Sequence, residues 1–179
     1  MPVTGWVKLH YRRLAKRYNS LIVQWEPAYG SPLDRGLAVI CSEDTRWILD
    51  VGTGTGYAAS RLAQRFPRAC IVGVDLSLEM LREAQKKQHR IIWIQAHNSR
   101  LPFRDGTFDL AIVHNAPLAL EELKRVVRPR GEILLSLSSG AAVPSVLHEL
   151  LRRRLDSLGC PVIRWERVGE GFFLIAYRT

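Results

Sequence analysis

A buried strand that runs straight into three closely spaced glycines leaves few folds open to a chain. Here the run Trp47-Ile48-Leu49-Asp50-Val51 leads into Gly52-Thr53-Gly54-Thr55-Gly56, and Ala59, Leu62, Ala63 and Phe66 then mark one face of a helix. Glycine lets the backbone turn sharply and come close to a ligand, and the helix start presents unpaired N–H groups to it. Thr53 lies within the turn and joins Gly52, Gly54 and Gly56 as a candidate contact. The next strand, Cys70-Ile71-Val72-Gly73-Val74, ends on Asp75. That acid comes about 20 residues after the glycines, where it can accept hydrogen bonds from both ribose hydroxyls of an adenosine.

The spacing separates two classes of ligand. A dinucleotide turn reads GxGxxG, whereas here position 57 is Tyr and the third glycine arrives one residue early. Asp50 stands two positions before the first glycine, where it can meet an ammonium group. This suits the cationic amino-acid end of S-adenosylmethionine better than a pyrophosphate.

From Arg46 onward strand and helix patterns alternate. Ser77 is a plausible N-cap for a helix through about Gln88. Ile91–Ile94 and Leu110–Val113 supply further buried strands, Leu118–Val127 is helical, and Arg128-Pro129-Arg130-Gly131 ends that helix. Glu132–Leu137 is a fifth strand, and Val143, Val146, Leu147, Leu150, Leu151, Leu155 and Leu158 share one face of a long helix. Strands near Val162–Arg167 and Phe172–Arg178 are joined by Gly169-Glu170-Gly171, which suits a tight hairpin. Five alternating strands imply a parallel sheet covered on both faces, and the hairpin adds an antiparallel strand near one edge. Ahead of this, Val7, Tyr11, Leu14, Ala15, Tyr18, Ile22 and Trp25 fall at helical spacing. Glu26 through Pro32 reads as a loop, with Pro27, Gly30 and Pro32 stopping the helix, and a shorter helical stretch covers Leu33–Cys41.

These readings describe a single domain over residues 1–179: an N-terminal helical lid (1–42), a cofactor-binding core (46–137), and a C-terminal helix and hairpin (138–179). The chain is 47% hydrophobic and 24% charged, as expected of a soluble globular domain. No apolar run approaches the roughly 20 residues needed to span a bilayer, and the first residues lack a secretory pattern, so a cytoplasmic location is expected. Cys41, Cys70 and Cys160 form no CxxC pair or metal-ligand pattern and read as free thiols. The formal charge of +9 allows an anionic partner such as RNA, although arginine is scattered through nearly every segment.

The chain resembles the class I S-adenosylmethionine-dependent methyltransferases, close to the "type 11" group that includes ubiquinone/menaquinone biosynthesis enzymes. Four stretches carry the likeness in order: Ile48–Gly56, Ile71–Asp75, Leu101-Pro102-Phe103-Arg104-Asp105-Gly106-Thr107-Phe108-Asp109, and Leu123-Lys124-Arg125-Val126-Val127-Arg128-Pro129-Arg130-Gly131. The resemblance implies an α/β, Rossmann-like fold whose seven-stranded sheet has the order 3-2-1-4-5-7-6 with strand 7 antiparallel. It also implies S-adenosylmethionine contacts at Asp50, Gly52, Gly54, Gly56 and Asp75, with Leu76 and Met80 where apolar side chains can flank the adenine. The chain departs from the pattern in two places. His97 and Asn98 stand where relatives carry an acid and an alanine, so that Asn98 through its carbonyl, or neutral His97 through one ring nitrogen, would have to recognise the adenine amino group. Arg130 replaces the first of two glycines.

Methyl transfer from a sulfonium needs little from the protein beyond in-line positioning and a deprotonated acceptor, and the family has no universal base. His114 and Asn115 end the fourth strand on the ligand side of the sheet, where His114 could act as a base, position an acceptor or line the cofactor site. Asn115-Ala116-Pro117-Leu118 shares only two positions with the Asn-Pro-Pro-Tyr motif of base-methylating enzymes. Lys8, Arg12, Arg13, Lys16 and Arg17, and the run Arg152-Arg153-Arg154, form two basic clusters that could be solvated faces or contact an acidic partner. Few residues separate the later strands, so the N-terminal helix or a second subunit of a homodimer would have to enclose a small acceptor. Three functions remain open: methyl transfer to a small molecule, methyl transfer to RNA or protein, and non-catalytic cofactor binding.

Overall fold

The computed structural model describes residue 24 and residues 26–40, 44–138 and 145–179. Its elements in chain order are α1 (Glu26–Val39), β1 (Trp47–Val51), α2 (Tyr57–Arg65), β2 (Cys70–Asp75), α3 (Leu78–Gln85), β3 (Ile92–Gln95), β4 (Phe108–His114), α4 (Leu120–Val126), β5 (Val127–Leu137), α5 (Ser145–Ser157), β6 (Val162–Val168) and β7 (Gly171–Tyr177). The sheet runs β3-β2-β1-β4-β5-β7-β6. β1 through β5 are parallel, and β7 is antiparallel to both β5 and β6. This is the order and handedness of pairing that the resemblance implies.

Alternation along the strands divides the core in two. On one face Leu49, Val72, Ala111, Val113, Ile133, Leu135 and Leu174 pack against Leu120, Leu123 and Val126 of α4 and Leu155 of α5. On the other, Ile48, Ile71, Leu110, Ile112, Leu134, Phe173 and Ile175 pack against Leu33 and Leu37 of α1 and Ala59 and Leu62 of α2. The central strands are buried on both faces, which is why β1 and β4 read as continuous apolar runs. Each fully buried leucine or isoleucine of this set contributes about 1.5–3 kcal/mol relative to an exposed one.

Several expectations need correction. The stretch from Glu26 to Pro32 is helix, not loop, because α1 runs unbroken from Glu26 to Val39 with Pro32 inside it. The residues that read as helix breakers serve close packing instead. A Cβ on Gly30 would lie 2.2 Å from the Tyr57 hydroxyl, one on Gly36 2.7 Å from a Leu134 methyl, and the Pro32 ring packs where Gly171 leaves room. Tertiary contact outweighs propensity here. The second correction concerns Arg128–Gly131, which does not form a turn between α4 and β5 but the start of β5 itself, with Val127 paired to Phe108. The ladder shifts register just beyond, and Arg130 takes a positive φ of 64° where relatives have glycine. The helix expected to reach Gln88 stops at Gln85. The amphipathic stretch 7–25, the N-terminal basic cluster and Cys41 fall, apart from residue 24, outside the described residues. Cys70 and Cys160 are free thiols. Among the described residues no helix is long and apolar enough to cross a membrane.

Candidate functional site

The strand order reverses between β1 and β4, so the carboxyl ends of these two strands open a crevice at the switch point. The glycine-rich turn forms one wall. Gly52 and Thr53 both donate their amides to the Val74 carbonyl, at 2.8 and 3.0 Å, which folds the turn back over the end of β2. Gly52, Gly54 and Gly56 adopt φ values of 73°, 55° and 81°. At Gly52 the chain also needs space, since a Cβ there would lie 2.3 Å from the Cβ of Ala116 on the opposite wall.

Asp50 and Asp75 face this turn from the ends of neighbouring strands. Asp75 accepts the Gly54 amide at 2.9 Å on one carboxyl oxygen and the Ser77 amide at 2.8 Å on the other. Burial pushes its carboxyl up, against the effect of those backbone donors. Asp50 is almost completely buried and accepts a hydrogen bond from the Thr53 hydroxyl. Desolvation raises its carboxyl to about 7, although Thr53 and the Ala59 amide both favour the charged form and only Asp75 adds repulsion. A positive charge brought beside that carboxyl would favour its charged form.

An aromatic cluster borders the crevice. Tyr29, Tyr57 and His114 line the crevice together with Asp50, Thr55, Ala58 and Asn115. Tyr57 stacks on His114 with centroids 5.7 Å apart, and Tyr29 stands edge-on to both, at 4.9 and 4.8 Å. Arg61 lies over the Tyr57 ring at 3.9 Å and is paired with Asp34 of α1. The role of Tyr29 and Tyr57 is not legible in the sequence, because Tyr29 lies in a stretch with the local character of a loop and Tyr57 marks only the departure from GxGxxG.

His114 and Asn115 are held by the end of β5. The Asn115 Nδ2 group donates to His114 Nε2 at 3.1 Å, so the His114 Nδ1–H donates to the Ser136 hydroxyl, also at 3.1 Å. Asn115 further binds the Ser138 hydroxyl and accepts the Ser138 amide at 2.8 Å, with its backbone at a φ of 52°. Burial, assisted by the Arg61 charge, lowers His114 to about 3. Both imidazole nitrogens are thus engaged, and the ring is a weak base.

The remaining candidates are dispersed. Leu76 is half-buried and follows Asp75, its carbonyl held by Gln95 at 2.9 Å, whereas Met80 is 1% exposed and packed in the core. His97 is exposed, and its Nδ1 receives both the amide and the hydroxyl of Ser99, which leaves a donating Nε2–H on the neutral ring. Asn98 gives its amide group to the Pro117 carbonyl at 2.8 Å and keeps its side-chain carbonyl to accept. Two supporting residues escaped the sequence reading. Trp93 fills the space that Gly56 and Gly73 leave behind the turn. Arg125 binds the carbonyls of Leu101 and Phe103 and the carboxylates of Asp105 and Glu122, tying the Leu-Pro-Phe stretch to α4.

Comparison with known proteins bears on this geometry. Residues 48–131 match the family model described as a methyltransferase domain. The chain is a member of the class I S-adenosylmethionine-dependent methyltransferases. It is 33% identical over 149 residues to a malonyl-[acyl-carrier protein] O-methyltransferase of Marinomonas, covering 75% of this chain and 55% of that protein. It is 41% identical over 99 residues to a ubiquinone/menaquinone biosynthesis C-methyltransferase of Syntrophotalea carbinolica, covering 49% and 42%. The chain thus spans about half the length of the curated relatives it matches. A solved complex between the Haloferax volcanii Trm112 methyltransferase activator and a methyltransferase superposes with a TM-score of 0.78 at 17% identity, covering 93% of this chain and 96% of that one, a likeness of fold. The family's cofactor is S-adenosylmethionine, and the residues present fit it. An ammonium group beside the buried Asp50 carboxyl would favour its charged form, Asp75 at the end of β2 offers carboxyl oxygens as acceptors, and Gly52 and Gly54 line the crevice without side chains.

Proposed function

We propose that this methyltransferase moves the methyl group of S-adenosylmethionine to a small-molecule acceptor, with catalysis by positioning and without a protein base. The observation that carries this reading is the engagement of both His114 nitrogens, together with a basicity lowered to about 3. Asp75 would hold the ribose hydroxyls, the glycine turn would take the amino-acid end, and Asp50 would face its ammonium group. Leu76 would flank the adenine and the Asn98 carbonyl would accept from its amino group, while His97, with its accepting nitrogen used by Ser99, would not. Bound S-adenosylmethionine supplies an electrophilic methyl group for in-line displacement. Tyr29, Tyr57 and the face of His114 would order an acceptor and exclude water on that side of the crevice.

The relatives' names suggest an acceptor of the carboxylate or quinone kind. Residues 1–42 would serve as a lid whose described part, α1, already brings Tyr29 to the crevice. Free thiols at Cys70 and Cys160 suit a cytoplasmic setting. Calorimetric titration with S-adenosylhomocysteine tests the site: Asp75→Ala should weaken binding by about 100-fold, the order expected from losing two charge-assisted hydrogen bonds. Unchanged affinity would sink the assignment. Turnover is then read with radiolabelled methyl donor across a panel of small carboxylates, quinols and phenols. Binding without transfer to any of them would favour a non-catalytic subunit.

A further inference from the structure

The end of the sheet opposite the crevice carries an arginine at nearly every strand. In spatial order these are Arg90 before β3, Arg68 before β2, Arg46 before β1, Arg104 before β4, Arg128 and Arg130 at the start of β5, and Arg178 after the antiparallel β7. Hydrogen bonds join most of them into one row. Arg90 reaches the Pro67 carbonyl beside Arg68, the Cys70 amide binds the Arg46 carbonyl, and the Arg46 and Trp47 amides share Asp109 with the Arg128 side chain. The Arg130 amide binds the Arg178 carbonyl at 2.8 Å. Strands about 4.8 Å apart make this row about 24 Å long from β3 to β7.

The acids along the row leave it positive. Asp109 is spent on Arg128, Asp105 on Arg125, and Glu132 is half-buried with its carboxyl pushed up by burial, which among the described residues leaves Asp44. Arg46, Arg68, Arg90, Arg104 and Arg130 are exposed, and among the described residues none has an ion pair. Beside them lie two exposed apolar side chains. Trp47 pairs with Cys70 and Ile92 with Val72, which puts both on one face, and each is 45% exposed.

We propose that this row is an anchoring surface for single-stranded nucleic acid, separate from the crevice. Every cation in it is arginine, whose planar fork suits phosphate oxygens, and the open Trp47 ring offers a base a stacking platform. A linear row fits a strand's backbone better than the broad field of a membrane surface. The strands' length separates the row from Gly52 and Asp75, so a nucleic acid bound here is held without its bases entering the crevice.

The probe is a fluorescein-labelled oligouridine of about 20 nucleotides, followed by anisotropy at rising salt. Arg46→Glu, Arg68→Glu and Arg90→Glu combined should weaken binding about tenfold or more and flatten the logarithmic salt slope by about 2. Arg82→Glu, Arg100→Glu and Arg153→Glu combined change net charge equally and should change affinity less than about threefold. Trp47→Ala should weaken binding and Trp47→Phe restore it, which keeps the test decisive if the triple variant melts early. Equal loss in both charge-reversed sets, absence of binding by the parent protein, or binding to phosphatidylserine vesicles but not to oligouridine would each overturn the proposal.

Discussion

The Thr53 hydroxyl donates a 2.6 Å hydrogen bond to the Asp50 carboxyl at the bottom of the crevice, yet burial still holds that carboxyl at about 7. An ammonium group binding there requires the charged form. Affinity for S-adenosylhomocysteine should therefore rise between about pH 6 and 8 and level off above, with proton release on binding below pH 7. Titrations in two buffers of different ionisation enthalpy measure both. Asp50→Asn should remove the pH dependence and weaken binding throughout.

The same group predicts a stability effect of opposite sense. Its carboxyl binds protons more tightly in the folded chain than at its ordinary value of 3.8, so the folded state holds the extra proton between about pH 4 and 7. Stability from Asp50 is present below that window and lost as pH rises through it, by an amount on the order of a few kcal/mol. Asp50→Asn should accordingly gain on the parent protein as pH rises from 4 to 7, read by urea denaturation.

His114 runs the other way. Its basicity is lowered from 6.5 to about 3, so the unfolded chain binds the proton first as pH falls, and stability is lost below about pH 6.5. Because the ring stays neutral across the physiological range, its Cε1 proton should not shift in NMR spectra between pH 5 and 8. The pH profile of kcat should likewise lack a histidine limb. A limb near 6.5 that His114→Gln abolishes would contradict catalysis by positioning.

How much of this was legible in the sequence depends on where the constraint is local. The turn from β1 into α2, Asp75 at the end of β2 and the closing hairpin are short-range patterns, and the sheet order came from family likeness. What sequence concealed is contact between distant segments. Gly30 and Pro32 have the local character of a loop, and only Tyr57 and Gly171, far along the chain, show why a helix needs them small or ring-shaped. His114 was legible as a crevice residue but not as a spent one, since Ser136 and Asn115 decide its tautomer through long-range pairing of β4 with β5. Gly30→Ala should push Tyr57 off His114 and cost about 1–3 kcal/mol in denaturant unfolding.

Gly52 and Gly169 separate backbone strain from crowding. Both hold φ in the left-handed region, at 73° and 57°, but a Cβ at Gly52 meets Ala116 at 2.3 Å while one at Gly169 meets nothing within 4 Å. Alanine at 169 should thus cost only the conformational penalty, about 1–2 kcal/mol, and leave cofactor affinity unchanged. Alanine at 52 should cost that penalty and about 1–3 kcal/mol more for overpacking, because Ala116 follows Asn115, which Ser138 holds in place. Forcing the two walls apart also widens the cleft between β1 and β4, so S-adenosylhomocysteine binding should fall with stability at 52 and not at 169. Paired urea titrations and calorimetry on the two variants measure this. Equal losses at both positions would mean that φ alone governs the turn and that its approach to Ala116 is incidental.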